Sequence, residues 1–107
     1  MGDLTISKGD LGKTVNVNKG DSFVVSLAEN PATGYRWEVS LINSQITELQ
    51  SSSFSRGSGS SLGGGGTRTF IFKAKSQGLT DLGLVLRREW EPKTSSIDSF
   101  SVTIQVK

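Results

Sequence analysis

Cysteine and histidine are both absent from this chain of 107 residues. Without a thiol there is no disulfide framework, no zinc knuckle and no cysteine nucleophile, so the fold must be held by packing alone. Without Cys or His, acid–base chemistry falls to the carboxylates, and no pair of them marks out a cleft. The chain is therefore read as a non-enzyme, with no catalytic residue, no metal and no cofactor. Charge of one sign is not in excess either. The formal net charge is +2, and Lys and Arg are spread along the chain rather than gathered in a run, which speaks against a nucleic-acid partner. No basic segment leads into an apolar run of signal-peptide or membrane-spanning length, so a soluble chain with no membrane partner is expected. Gly2 lacks the hydroxyl residue that myristoylation needs four positions further on, where Ile6 stands. The compartment stays open between an intracellular site and secretion after loss of a leader. Nothing suggests a second apolar surface, so a monomer is expected.

Helical periodicity is nearly absent, while apolar and polar residues alternate along almost the whole length. The C-terminal segment is the cleanest case: Phe100, Val102, Ile104 and Val106 fall on one face, Ser101, Thr103, Gln105 and Lys107 on the other. The same pattern predicts strands at Leu4 to Ser7, Thr14 to Val17, Ser22 to Leu27, Tyr35 to Leu41, Thr67 to Lys75 and Thr80 to Arg88. Residues 43–55 suit a helical turn or a weak strand, and a short strand close to Phe54 is favoured. Turn signals separate these segments at Lys8-Gly9-Asp10, Asn18-Lys19-Gly20-Asp21, Asn30-Pro31, Gln77-Gly78 and Pro92-Lys93-Thr94, with a Gly/Ser tract over 55–66. The expectation is one all-β domain over 1–107, an immunoglobulin-like β-sandwich of seven or eight antiparallel strands.

In such a sandwich, successive strands run up and then down, so alternate connections emerge at one end. Counted from Ser22, the connections at 30–34, 55–66 and 88–97 are the first, third and fifth and should cluster; those at 43–51 and 76–79 should lie at the other end. Within the first, Pro31 fixes its own φ, Gly34 can take positive φ, and Asn30 and Thr33 can bond to neighbouring backbone, which makes a stiff projecting turn as well as an ordinary hairpin. The second holds the run Gly63-Gly64-Gly65-Gly66. Bare backbone can lie along another chain, though a flexible linker has the same composition. It is not a phosphate loop, because no Lys-Ser/Thr follows and a strand rather than a helix comes next. The third holds Arg88-Glu89-Trp90. A Trp past a strand end either folds back over the sandwich or serves a partner, and Trp and Arg are frequent carriers of interface energy.

Together, Asn30-Pro31-Ala32-Thr33-Gly34-Tyr35, then Gly63 to Gly66, then Arg88-Glu89-Trp90 resemble the three signature loops of the chagasin family of cysteine-peptidase inhibitors, in that family's order. Its usual patterns are Asn-Pro-Thr-Thr-Gly-Tyr/Phe, Gly-x-Gly-Gly and Arg-Pro-Trp, so Ala32 stands for a Thr and Glu89 for a Pro. The resemblance implies a reversible, tight-binding inhibitor whose partners are papain-like cysteine peptidases such as papain and cathepsin L. All thirteen residues just named are implied to touch the peptidase. The alternative is an adhesion or carbohydrate-binding module that stacks sugars on Tyr35, Trp37 and Trp90, although Trp37 alternates with core residues and is expected to be buried.

Overall fold

Period-2 alternation turns one side of each strand inward, and the computed structural model, which describes residues 4–56, 65–92 and 96–107, builds a sandwich on that rule. Chain order is β1 (Leu4–Ile6), a 3-10 turn (Lys8–Asp10), β2 (Thr14–Val17), β3 (Ser22–Glu29), a second 3-10 turn (Pro31–Thr33), β4 (Tyr35–Leu41), β5 (Thr47–Arg56), β6 (Gly66–Ala74), β7 (Gly78–Arg88) and β8 (Asp98–Val106). These form two four-stranded sheets, ordered β1-β3-β6-β5 and β2-β8-β7-β4. The alternating residues meet between them: Phe23, Val25 and Leu27 of β3, Phe70 and Phe72 of β6, Leu82 and Leu84 of β7, and Phe100, Val102 and Ile104 of β8 are all buried. Each such side chain contributes roughly 1.5–3 kcal/mol by leaving water. Phe23 and Phe72 stack with ring centroids 5.3 Å apart.

The sequence expectation of antiparallel strands holds from β3 to β8, but β1 pairs with β3 and β2 with β8 in parallel. The chain still runs up and down in alternation. Because β1 and β3 lie in one sheet and β2 crosses to the other, the two up-going strands become neighbours. Residues 47–56 form a long strand rather than a short one near Phe54, and the connection before it shrinks to 42–46. Its register slips between Leu49 and Ser51, and this bulge breaks the alternation a sequence reading depends on.

Register fixes which connections share a pole. Glu29 and Arg56 both lie opposite Gly66, Tyr35 lies opposite Arg88, and Leu86 opposite Asp98. The links from β3 to β4, β5 to β6 and β7 to β8 therefore leave at one end, as the strand count predicted. The turn between β1 and β2 joins them as a fourth, held there by a Lys8–Asp98 ion pair at 2.6 Å. At the far pole the 42–46 and 75–77 turns meet: the Lys75 N–H donates to Ile46 O at 2.8 Å. Leu4, beside Phe23, and Lys107, whose N–H donates to Val17 O, lie at that far pole too.

Candidate functional site

The first loop is closed on itself. The Asn30 side-chain oxygen accepts the Ala32 N–H at 3.0 Å, Asn30 O accepts the Thr33 N–H at 3.2 Å and the Thr33 hydroxyl at 2.8 Å, and Thr33 Oγ1 accepts the Tyr35 N–H at 3.3 Å. All these bonds come from Asn30 and Thr33, so the hydroxyl missing at Ala32 leaves the turn intact. Gly34 completes it at φ +80°, a conformation that costs an L-residue roughly 1–2 kcal/mol.

The third loop leans on the first. Arg88 Nε donates to Thr33 O at 3.0 Å, and its guanidinium lies 4.3 Å from the Tyr35 ring centroid and 5.8 Å from that of Trp90. Trp90 sits against Gly34 so closely that a Cβ built on the glycine would lie 2.5 Å from the indole Cη2, yet the Trp residue is 71% exposed. It packs edgewise on the first loop and leaves most of its surface bare. Glu89, in the place of the family's Pro, does not leave the turn loose. Arg87 holds it from behind, donating through one guanidinium nitrogen to Arg88 O at 3.1 Å and Glu91 O at 2.9 Å and through Nε to Glu38 at 2.6 Å.

The second loop meets the first from the other side. A Cβ on Gly65 would come within 3.4 Å of Glu29 O and 3.9 Å of Asn30 Cβ, and Gly66 pairs with Glu29 in the ladder. Gly63 and Gly64 lie outside the described residues. Of the thirteen residues singled out from sequence, the other eleven thus gather at one pole, around the first loop.

Two groups beneath this pole were not singled out. Glu29 points inward in series with Phe23, Val25 and Leu27, and Arg68 in series with Phe70 and Phe72; their carboxylate and guanidinium meet at 2.9 Å. A charge at an inward position of two alternating strands was the available signal. Trp37, 4% exposed, donates its indole N–H to Ala28 O at 2.8 Å, so it is a core residue and offers no sugar platform.

Residues 16–104 match the family model for the chagasin family peptidase inhibitor I42. Among curated proteins none matches the chain. Among solved structures, the cysteine protease inhibitor EhICP2 from Entamoeba histolytica superposes with a TM-score of 0.84 at 18% identity, over 97% of this chain and 94% of that one. PbICP-C in complex with falcipain-2 gives 0.73 at 15% identity, over 97% and 99%. Leishmania mexicana ICP gives 0.66 at 25% identity, over 92% and 90%. Fold, loop order and a family match over most of the length agree: the chain belongs to the chagasin family of peptidase inhibitors.

Proposed function

We propose that the protein inhibits papain-like cysteine peptidases by seating its three clustered loops in the active-site cleft, with Ala32 and Thr33 at the catalytic centre, Gly64 to Gly66 along the non-primed side, and Arg88 and Trp90 on the primed side. The observation that carries this reading is the bracing of the third loop on the first through Arg88 and Gly34, with Gly66 of the second laddered to Glu29 beside them, around one projecting turn. Binding is rigid-body in this mechanism. Loops already held by hydrogen bonds lose little freedom on docking, so an interface of about 1,600 Å² can reach nanomolar affinity or better. Asn30, Pro31, Gly34 and Tyr35 shape the wedge, and Arg88 sets the angle of Trp90 against it.

Resistance to cleavage has the same origin. Attack by a thiolate needs a carbonyl carbon held in near-attack geometry, and the turn from Pro31 to Thr33 would have to unwind to present one. Unwinding gives up the internal bonds of Asn30 and Thr33, each worth about 0.5–1.5 kcal/mol net. The inhibitor is then released unchanged. The test is titration of papain and of cathepsin L with the purified protein. Stoichiometric, reversible loss of activity is expected, with intact inhibitor recovered by mass spectrometry; full activity at micromolar inhibitor refutes the reading.

A further inference from the structure

We infer that the buried Glu29–Arg68 pair is a positioning device for the inhibitory loops, not a support for the fold. The inference rests on the proposed inhibition and adds the residues that set its geometry.

Glu29 is the last residue of β3, immediately before the Asn30 turn, and its side chain is 1% exposed. One carboxylate oxygen, Oε1, accepts the backbone N–H of Trp37 at 2.8 Å. That N–H belongs to β4, an edge strand of the opposite sheet. The other oxygen, Oε2, takes Arg68 Nε at 3.2 Å and Nη2 at 2.9 Å from β6. A single carboxylate therefore ties three strands: the one that enters the first loop, the one that leaves it, and the one that leaves the second loop. Arg68 also lies over Phe54 of β5, the strand that enters the second loop, at 5.5 Å. Glu29, Arg68, Phe54, Gly34 and Trp90 together line an open cleft of about 280 Å³ directly under the loops.

Burying an ion pair is a poor way to stabilise a fold, since apolar residues of similar volume are often as stable or more so. What the pair supplies that a Leu and a Met cannot is direction, because the guanidinium fork and the carboxylate fix each other's orientation and the amide of Trp37 fixes both.

The test compares the double variant E29L/R68M and the single variant E29Q with the unmodified protein. Three readouts are taken: melting temperature, association and dissociation rates on papain, and amide hydrogen exchange at Ala32, Thr33 and Trp37. For E29L/R68M, which also strips the buried Trp37 N–H of its acceptor, a fall in melting temperature no larger than one orphaned amide accounts for, roughly 4–15 °C, a dissociation rate raised by ~10-fold or more and a nearly unchanged association rate are expected. Exchange at the three amides should speed up. E29Q keeps an acceptor for Trp37 but loses the charge facing Arg68, and an intermediate rise is expected; if the double variant does not fold, this one decides. A folded variant whose dissociation rate and loop exchange both stay within about twofold of the unmodified protein overturns the inference. Exchange needs no peptidase. If the unmodified protein leaves papain active, the proposed inhibition fails while the positioning role is still decided by the amides.

Discussion

Gly34 sits at φ +80° with the indole of Trp90 closed over it, and alanine there would separate the two demands. The first is conformational. An L-residue in this region costs about 1–2 kcal/mol, and for a domain of this size each kcal/mol lowers the melting temperature by roughly 4–8 °C. A protein of ordinary stability, about 5–15 kcal/mol, stays folded at room temperature despite that loss. The second demand is steric. At 2.5 Å the new methyl and the indole cannot coexist, but the clash involves the outer edge of an exposed side chain, so Trp90 swings away at little cost to the fold. Inhibition bears the consequence if Trp90 docks as proposed, since a displaced Trp would forfeit that contact, worth about 2 kcal/mol or more for an anchor of this kind, or about 30-fold in affinity. A double-mutant cycle with Trp90→Ala resolves the two. Inhibition constants against papain should show Gly34→Ala and Trp90→Ala each weakening inhibition about 30-fold and the double variant little worse than Trp90→Ala alone. Melting temperatures should show Gly34→Ala destabilising in both backgrounds and Trp90→Ala, exposed as it is, within about 0.5 kcal/mol of neutral. If the losses of inhibition multiply, or Gly34→Ala inhibits as the unmodified protein does, the coupling drawn from the contact is wrong.

Arg88→Lys keeps the charge but loses the planar group that bonds Thr33 O and stacks on Tyr35, so inhibition should weaken about tenfold, and Arg88→Ala should do no better; recovery of full potency by lysine would show that charge alone matters. Thr47 is fully buried, and its hydroxyl has no partner among the described residues. Thr47→Val should therefore raise stability by about 1 kcal/mol in urea unfolding, and a loss of that size would mean the hydroxyl is satisfied. The Lys8 ammonium bonded to Asp98 holds that carboxyl below its usual 3.8. A carboxylate whose folded value is depressed adds stability above its unfolded value and loses it as the pH falls through the folded one. The small melting-temperature advantage over Asp98→Asn should thus be present at neutral pH, fade below 3.8 and shrink in high salt; an advantage unchanged by acid would exclude the ion pair as its source.

Much of the fold was legible because it rests on alternation. The series Phe100, Val102, Ile104, Val106 reads as a half-buried strand and is one, with every member buried. β5 was not legible at full length. Its bulge at Leu49 to Ser51 shifts the period, and its many serines carry no apolar signal, so its extent is set by pairing with β6 along Thr47 to Arg56. The pole shared by the loops could still be deduced, since a strand counts once whatever its length. Missing the first connection, between β1 and β2, came from starting the count at Ser22. Glu29 was the most readable of the missed residues, a charge continuing an inward apolar series, but its partner Arg68 lies 39 positions away and only the β3–β6 register brings them together. The bracing by Arg88 and the seat of Trp90 on Gly34 had no sequence signal beyond the residue types, because both depend on how two distant turns are angled.

The up-and-down course of the chain leaves its first described strand starting, and its last one finishing, beneath the sandwich, with Lys107 bonded back to Val17 and Lys19. A reporter, a membrane tether or a second domain joined beside Leu4 or Lys107 would hang at the pole opposite the three clustered loops. The domain can accordingly be displayed on a surface or strung in tandem with its three-loop pole left clear.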